Sequence, residues 1–252
     1  DDAFTPRVDA LAARLSPSTR AIILNSPCNP SGATIPRAEM RAFAHLAVEK
    51  DLVVIADEVY ESFTYDGEHG ASFSALLAAE PGLRERLVIV SAVSKSYAMT
   101  GWRVGYSVTP PALRPLMGPL LSFYTTNGIF PAVQSAARVA ITGSQAPVEA
   151  MRQAYLQRRD LLLAGLEGQS AVRVTAPRGA FYAFADVGGA MGRAGAKELW
   201  DLVFEWLAQG VAVLPGTAFG AEYTHHVRLS LATRREDVVE AARRLRECLA
   251  AR

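Results

Sequence analysis

The segment LVVIAD occupies residues 52–57 and is a continuous apolar run that ends on an aspartate. A strand that is apolar at every position is typical of a parallel sheet with both faces covered. Two similar runs flank it, AIILN at residues 21–25 and LVIV at residues 87–90, and a fourth strand is predicted at residues 104–108. Between the first two runs, residues 40–48 carry apolar side chains at helical spacing. This alternation predicts an α/β fold with a mostly parallel sheet.

The pattern changes in the second half of the chain. A long helix is predicted from residue 147 to about residue 166, followed by short strands interleaved with helices. Residues 110–144 are less periodic and are interrupted by Pro and Gly. We therefore expect two domains. Residues 1–145 form part of a large α/β domain, and residues 146–252 form a smaller α+β C-terminal domain that includes the long helix.

Composition excludes several classes of protein. Lys and Arg number 26 against 25 Asp and Glu, so no nucleic-acid partner is predicted. No apolar run reaches the roughly 18 residues that span a membrane. Cys28 and Cys248 lie far apart and show no metal-binding spacing, which favours reduced thiols, a cytoplasmic location and no metal site. The chain starts without Met and without a signal peptide, so we expect it to begin inside a longer protein.

Polar residues follow three of the predicted strands. Asn29 lies in the turn after the first, Asp57 and Tyr60 follow the second, and Lys95 follows the third. Ligands of open α/β sheets bind outside the carboxyl ends of the strands, where these side chains are expected to converge. A partly desolvated lysine becomes a nucleophile toward carbonyls. Arg103, with glycines two positions before and two positions after it, carries the planar fork that suits a phosphate.

Four segments, in this order, resemble the motifs of the class I and II aminotransferases, the aspartate aminotransferase fold family. They are NPSG at residues 29–32, IADEVY at residues 55–60, SKSYAMTGWRVGY at residues 94–106 and VRLS at residues 227–230. The likeness extends from about residue 4 to the C-terminus. It implies fold type I of the pyridoxal-phosphate-dependent enzymes, with pyridoxal 5'-phosphate as cofactor.

The resemblance also implies catalytic roles. Lys95 would bind the cofactor as a Schiff base and then shuttle a proton at the substrate α-carbon. Asp57 would pair with the pyridine nitrogen and keep it protonated. Tyr60 and Asn29 would donate hydrogen bonds to the phenolic oxygen of the cofactor.

Binding roles follow from the same likeness. Arg103 would bind the cofactor phosphate, while Arg228 and Asn29 would bind the substrate α-carboxylate. Ala92 stands where aspartate aminotransferases often place a phosphate-binding serine, and Ser94 is the nearer hydroxyl that would compensate for it. Residues 214–219 resemble a loop near the substrate carboxylate.

The function implied is transfer of an amino group between an L-amino acid and a 2-oxo acid, with glutamate and 2-oxoglutarate as one pair, in a homodimer. Two alternatives remain open at this point. A β-lyase or synthase of the same fold would use the same lysine and arginines. A transcription regulator with an aminotransferase-like sensor domain would carry a DNA-binding module elsewhere. The amino-donor specificity is not predicted.

Overall fold

The computed structural model describes residues 4–65, 72–125, 128–194 and 198–250, and the chain divides into two compact units. The first unit holds residues 5–27 and 34–150. The second holds Phe4, residues 28–33 and the chain from residue 151 onward. The turn at residues 28–33 therefore groups with the C-terminal part of the chain, and a domain division at residues 145 and 146 stays a prediction.

The first unit is built on a four-stranded sheet with the order β1-β2-β3-β4. Strands β1, β2 and β3 are parallel, and β4 runs antiparallel to β3. The sheet is mostly parallel, which confirms the predicted α/β class. The elements are α1 (Val8–Ala12), β1 (Ala21–Asn25), α2 (Arg37–Glu49), β2 (Val53–Asp57), β3 (Leu87–Ala92), α3 (Val93–Ser96), β4 (Gly105–Val108), α4 (Arg114–Tyr124) and α5 (Pro131–Thr142).

One face of this sheet is better covered than the other. Val54 and Ala56 are fully buried in a cluster that includes Phe43 of α2. On the opposite face, Ile23 is 71% exposed. Burial on both faces was the sequence-based expectation, and within the described residues it holds for one face. An apolar run indicates that a strand can be buried on both faces, but it does not show which other segment covers each face.

The direction of β4 and the helices after it differ from a simple strand–helix alternation. A parallel strand needs a crossover of a dozen or more residues, usually through a helix. Residues 93–104 connect β3 to β4, which is the lower limit of that length, and hold the four-residue helix α3 and a 3-10 turn at Thr100–Trp102. After this connection the chain pairs antiparallel with β3. The less periodic segment at residues 110–144 contains α4 and α5. Each has a proline in its first turn, where the missing N–H costs nothing.

The second unit is an antiparallel sheet with helices, as expected for an α+β domain. Its strand order is β5-β6-β8-β7, and all pairs are antiparallel. No helix in the described ranges is long and apolar enough to cross a membrane. The elements are α6 (Ala146–Leu166), which begins in the first unit, β5 (Arg173–Val174), β6 (Tyr182–Asp186), α7 (Gly188–Ala194), α8 (Leu199–Ala208), β7 (Leu214–Pro215), β8 (His226–Ser230) and α9 (Arg235–Ala250).

Candidate active site

The first group of candidate residues lies at the carboxyl ends of β1 and β2. Asn25 and Asp57 stand opposite each other in the parallel register. The Asn25 amide donates to the backbone oxygen of Asp57 over 3.2 Å, and the Asp57 carboxylate accepts the Val59 N–H over 3.3 Å. These bonds hold the end of β2 in place while the Asp57 side chain stays half-buried. A half-buried carboxylate at a strand end is suited to pair with a cationic ring nitrogen.

Lys95 and Tyr60 are brought together in the same unit. Tyr60 follows β2 and is only 4% exposed, whereas Lys95 is half-buried on α3, directly after β3. The Lys95 Nζ lies 5.8 Å from the centroid of the Tyr60 ring. The side chains predicted to converge from two neighbouring strands therefore meet. Ser94 is half-buried on the same short helix.

Arg103 adopts an unusual backbone conformation. It has φ 55° and ψ 44°, the left-handed region that costs a residue with a Cβ about 1–2 kcal/mol. Its side chain is exposed, and Nη1 donates to the Thr100 carbonyl oxygen over 3.1 Å. In the described part of the chain, no hydrogen bond joins Arg103 to Asp57 or Ser94. Such outliers concentrate at functional sites, where the surrounding fold maintains them.

The second group of candidate residues lies in the other unit. Arg228 Nη1 donates to the Asn29 side-chain oxygen over 2.8 Å, although the two residues are 199 positions apart. Arginine can only donate hydrogen bonds, so the Asn29 side-chain atom that faces Arg228 is the amide oxygen. The amide nitrogen is therefore the donor end, as a bond to a phenolic oxygen requires.

The Asn29 turn is held in place by a close backbone approach at Gly32. Gly32 has φ +69°, and a Cβ built there would lie 2.5 Å from the Pro177 Cβ. The same Cβ would lie 2.9 Å from the Gly179 oxygen and 3.0 Å from the Tyr182 oxygen. The Gly32 oxygen also accepts the backbone N–H groups of Arg178 and Gly179, each over 2.9 Å. Only glycine fits both the conformation and the space.

The Arg228 guanidinium is surrounded by neutral groups. Its Cζ lies 4.3 Å from the centroid of the Tyr182 ring and 5.0 Å from that of Phe219. Its Nε is buried and has no hydrogen-bond partner. Among the described residues no carboxylate forms an ion pair with it. A partly buried cation without a counter-ion is costly, and an anionic ligand relieves that cost.

Sequence reasoning missed Glu58. This carboxyl is 3% exposed and accepts hydrogen bonds from the Ser72 hydroxyl over 2.5 Å and the Phe73 N–H over 2.7 Å. Burial raises the pKa of Glu58, and the two hydrogen bonds oppose that rise. Its place directly after Asp57 was the available signal, but a partner fourteen positions later is not visible in a local pattern.

Glu61, three positions after Glu58, makes the stability of the folded chain depend on pH. Burial and the neighbouring Glu58 carboxyl raise the pKa of Glu61 to about 6 from 4.5. The folded state therefore binds protons that the unfolded state has released, and stability falls as the pH rises from about 4.5 through about 6. We expect Glu61→Gln to increase the free energy of unfolding by about 1 kcal/mol at neutral pH, after allowance for solvent screening, and to lose this gain at about pH 4.

Urea unfolding of the two proteins at a series of pH values measures this difference. Exposed Glu85, changed to Gln, is the matched control. A gain from Glu61→Gln that is equal at all pH values would contradict the raised pKa of Glu61.

The fold and the residues at its strand ends define a class before any comparison. A mostly parallel sheet that carries a half-buried lysine and an aspartate at its carboxyl end, with a smaller α+β unit, is the arrangement of the fold type I pyridoxal-phosphate-dependent enzymes. The chain belongs to the family described as aminotransferase class I and II, whose model matches residues 1–245. The cofactor of this family is pyridoxal phosphate.

Individual relatives agree with this assignment. The chain is 38% identical over 252 residues to an arginine–pyruvate transaminase of Pseudomonas aeruginosa, covering 99% of this chain and 61% of the relative. It is 39% identical to an aspartate/prephenate aminotransferase of Thermus thermophilus, covering 99% and 61% respectively. The chain thus spans about three fifths of the length of these curated relatives.

Solved structures show the same fold. The aspartate aminotransferase from Rhizobium meliloti superposes with a TM-score of 0.89 at 34% identity, covering 98% of this chain and 62% of that one. The aromatic aminotransferase from Pyrococcus horikoshii superposes with a TM-score of 0.88 at 34% identity, covering 99% and 65%.

Proposed function

We propose that this chain carries the cofactor lysine and the substrate arginine of an aminotransferase, which moves an amino group between an L-amino acid and a 2-oxo acid. Glutamate and 2-oxoglutarate are the proposed common pair. The observation that carries the proposal is the half-buried Lys95, whose amine lies 5.8 Å from the buried Tyr60 ring at the carboxyl end of the sheet. The names of the relatives, which include aspartate, arginine and asparagine transaminases, support amino-group transfer and leave the donor open.

The residues present fit pyridoxal phosphate. Lys95 offers an amine, Asp57 a carboxylate, Arg103 an exposed guanidinium, and Arg228 a cation whose buried Nε has no partner. When bound, the cofactor supplies a carbonyl to which amines add and a ring that withdraws electrons from the substrate α-carbon. The Lys95 amine matches an aldehyde, and the Asp57 carboxylate matches a protonated ring nitrogen. The Arg103 guanidinium matches a phosphate, and the Arg228 guanidinium matches a substrate carboxylate.

Each side chain has a defined task in the proposal. The Lys95 amine attaches the cofactor covalently and, once released, moves a proton at the substrate α-carbon. The Asp57 carboxylate holds a proton on the ring nitrogen, because an anion nearby favours the protonated form. The Tyr60 hydroxyl and the Asn29 amide nitrogen donate to the phenolic oxygen.

The remaining side chains bind and orient. Arg103 and the Ser94 hydroxyl bind the phosphate. Arg228 holds the substrate α-carboxylate, with Asn29 fixing its guanidinium, so that the Cα–H bond is oriented for proton removal. The domain division at residues 145 and 146 and a cytoplasmic location belong to the same proposal.

A homodimer is part of the proposal. Large apolar side chains remain exposed along α4 and at the start of α5, including Leu116 at 67%, Phe123 at 80% and Phe130 at 71%. Clusters of exposed apolar side chains of this kind are typical of surfaces on which another segment or chain packs, and we propose the second subunit as the partner here. Sedimentation of the purified protein tests this point.

An absorbance experiment tests the function directly. The purified polypeptide that contains this chain is loaded with pyridoxal phosphate and mixed with each proteinogenic amino acid. We expect at least one amino acid to shift the near-ultraviolet absorbance of the cofactor, and a 2-oxo acid to reverse the shift. Product analysis then distinguishes a new amino acid from the ammonia that a lyase would release. If no amino acid changed the spectrum, the proposal would be wrong.

A further inference from the structure

We propose that Tyr182 and Phe219 are positioning residues that hold the Arg228 guanidinium in the orientation in which it binds a carboxylate ligand. The inference rests on the proposed function, in which Arg228 binds the α-carboxylate of the substrate. It adds two aromatic residues to the machinery. We call Tyr182 and Phe219 the aromatic clamp.

Arg228 keeps N–H donors for a ligand although it is already held by Asn29. A planar carboxylate binds a guanidinium through two parallel N–H donors. Nη1 donates one of its two N–H groups to the Asn29 oxygen over 2.8 Å. The buried Nε has no hydrogen-bond partner. The second N–H of Nη1 and those of Nη2 therefore remain for a carboxylate, provided that the guanidinium keeps its orientation.

Aromatic rings suit this task better than an acidic partner would. A carboxylate from the protein would neutralise Arg228 but would use the same N–H donors that a ligand needs. The faces of aromatic rings attract the cation without accepting those hydrogen bonds. With centroids 4.3 and 5.0 Å from the guanidinium carbon, the two rings also limit how far the guanidinium can tilt.

The backbone places each ring beside Arg228. Tyr182 and Phe184 lie on one face of β6, and Phe184 is the direct cross-strand neighbour of Arg228. Phe219 follows the turn Gly216–Ala218, and its N–H donates to the Gly216 oxygen over 2.8 Å. A Cβ at Gly216 would lie 2.6 Å from the Tyr223 oxygen and 2.7 Å from the His226 oxygen. The turn therefore packs tightly on the chain that enters β8, and this fixes the position of Phe219.

The clamp is expected to affect binding of the carboxylate more than the chemical step. Its removal leaves Arg228, Asn29 and Lys95 in place but allows the guanidinium to adopt other orientations. The ligands concerned are small molecules with a free α-carboxylate, whatever their side chain. The KM for the amino acid should rise while kcat stays within about twofold, because the lost interaction serves ground state and transition state alike.

The experiment measures binding of pyruvate and of 2-oxoglutarate to the holoenzyme by calorimetry. We expect Phe219→Leu and Tyr182→Leu each to raise the Kd for both 2-oxo acids by about five- to tenfold, the range of a partly desolvated cation–π contact. Phe219→Tyr and Tyr182→Phe keep the rings and should stay within about twofold of the wild type. Phe204→Leu, which removes an exposed ring on α8, is the control for loss of an aromatic residue.

The outcomes separate the clamp from the proposed function. If the wild type binds both 2-oxo acids and the two leucine variants bind them equally well, the clamp is wrong and the function stands. If the wild type binds neither, the carboxylate role of Arg228 fails and the clamp fails with it. If Phe219→Leu does not fold, Tyr182→Leu decides the question alone, and a Phe219→Tyr protein with weakened binding would also overturn the proposal.

Discussion

Replacing Lys95 with Ala is expected to abolish covalent attachment of the cofactor and to lower the transamination rate by at least about 10³-fold. Two contributions are lost together. In the proposed function, the substitution removes the amine that would attach the cofactor and also the group that would move the proton at the substrate α-carbon, which by itself contributes about 10²–10⁴-fold. The fold should be retained, because Lys95 is half-buried at the end of a four-residue helix and Ala is a good helix former.

Borohydride reduction followed by peptide mass spectrometry measures this without reference to activity. In the wild type, the cofactor mass should appear on the peptide that contains Lys95, and in Lys95→Ala it should appear on no peptide. Lys50, an exposed lysine that pairs with Glu49, provides the control variant Lys50→Ala. Cofactor fixed to another lysine in the wild type would refute the assignment of Lys95.

The parts of the fold that the sequence predicted are those encoded by local patterns. The three parallel strands were predicted because continuous apolar runs need no information from elsewhere in the chain. The placement of Asp57 and Lys95 at strand ends followed from the same runs, since parallel strands end at one edge of the sheet. In the structure, the Lys95 amine lies 5.8 Å from the centroid of the Tyr60 ring, as that reasoning led us to expect.

What was not predicted depends on contacts with other parts of the chain. The antiparallel direction of β4 appears only in its pairing with β3, which the residues of β4 do not encode by themselves. Residues 214–219 were expected near the substrate carboxylate, but the approach of the Tyr182 and Phe219 rings to Arg228 was not predicted, because it exists only once β6 and the loop before β8 are assembled. Its contact with Asn29 bridges 199 positions, a separation that no periodicity reports.

Gly32→Ala is expected to lower the free energy of unfolding by about 3 kcal/mol. The φ of +69° costs a residue with a Cβ about 1–2 kcal/mol. The new Cβ would also lie 2.5 Å from the Pro177 Cβ and 2.9 Å from the Gly179 oxygen, and overpacking of this kind costs about 1–3 kcal/mol more. Urea unfolding measures the total.

The chain offers a control that separates these two costs and connects them to the function. Gly168 has φ +77° but nothing within 4 Å of a built Cβ, so Gly168→Ala should lose only the conformational part, about 1 kcal/mol. Because Gly32 seats the turn that carries Asn29, its displacement should also break the bond to Arg228 and raise the Kd for a 2-oxo acid by at least about tenfold. Gly168→Ala should leave that Kd unchanged. Equal losses of stability in the two variants would show that the Pro177 contact relaxes without cost, and an unchanged Kd in Gly32→Ala would show that Asn29 does not orient Arg228.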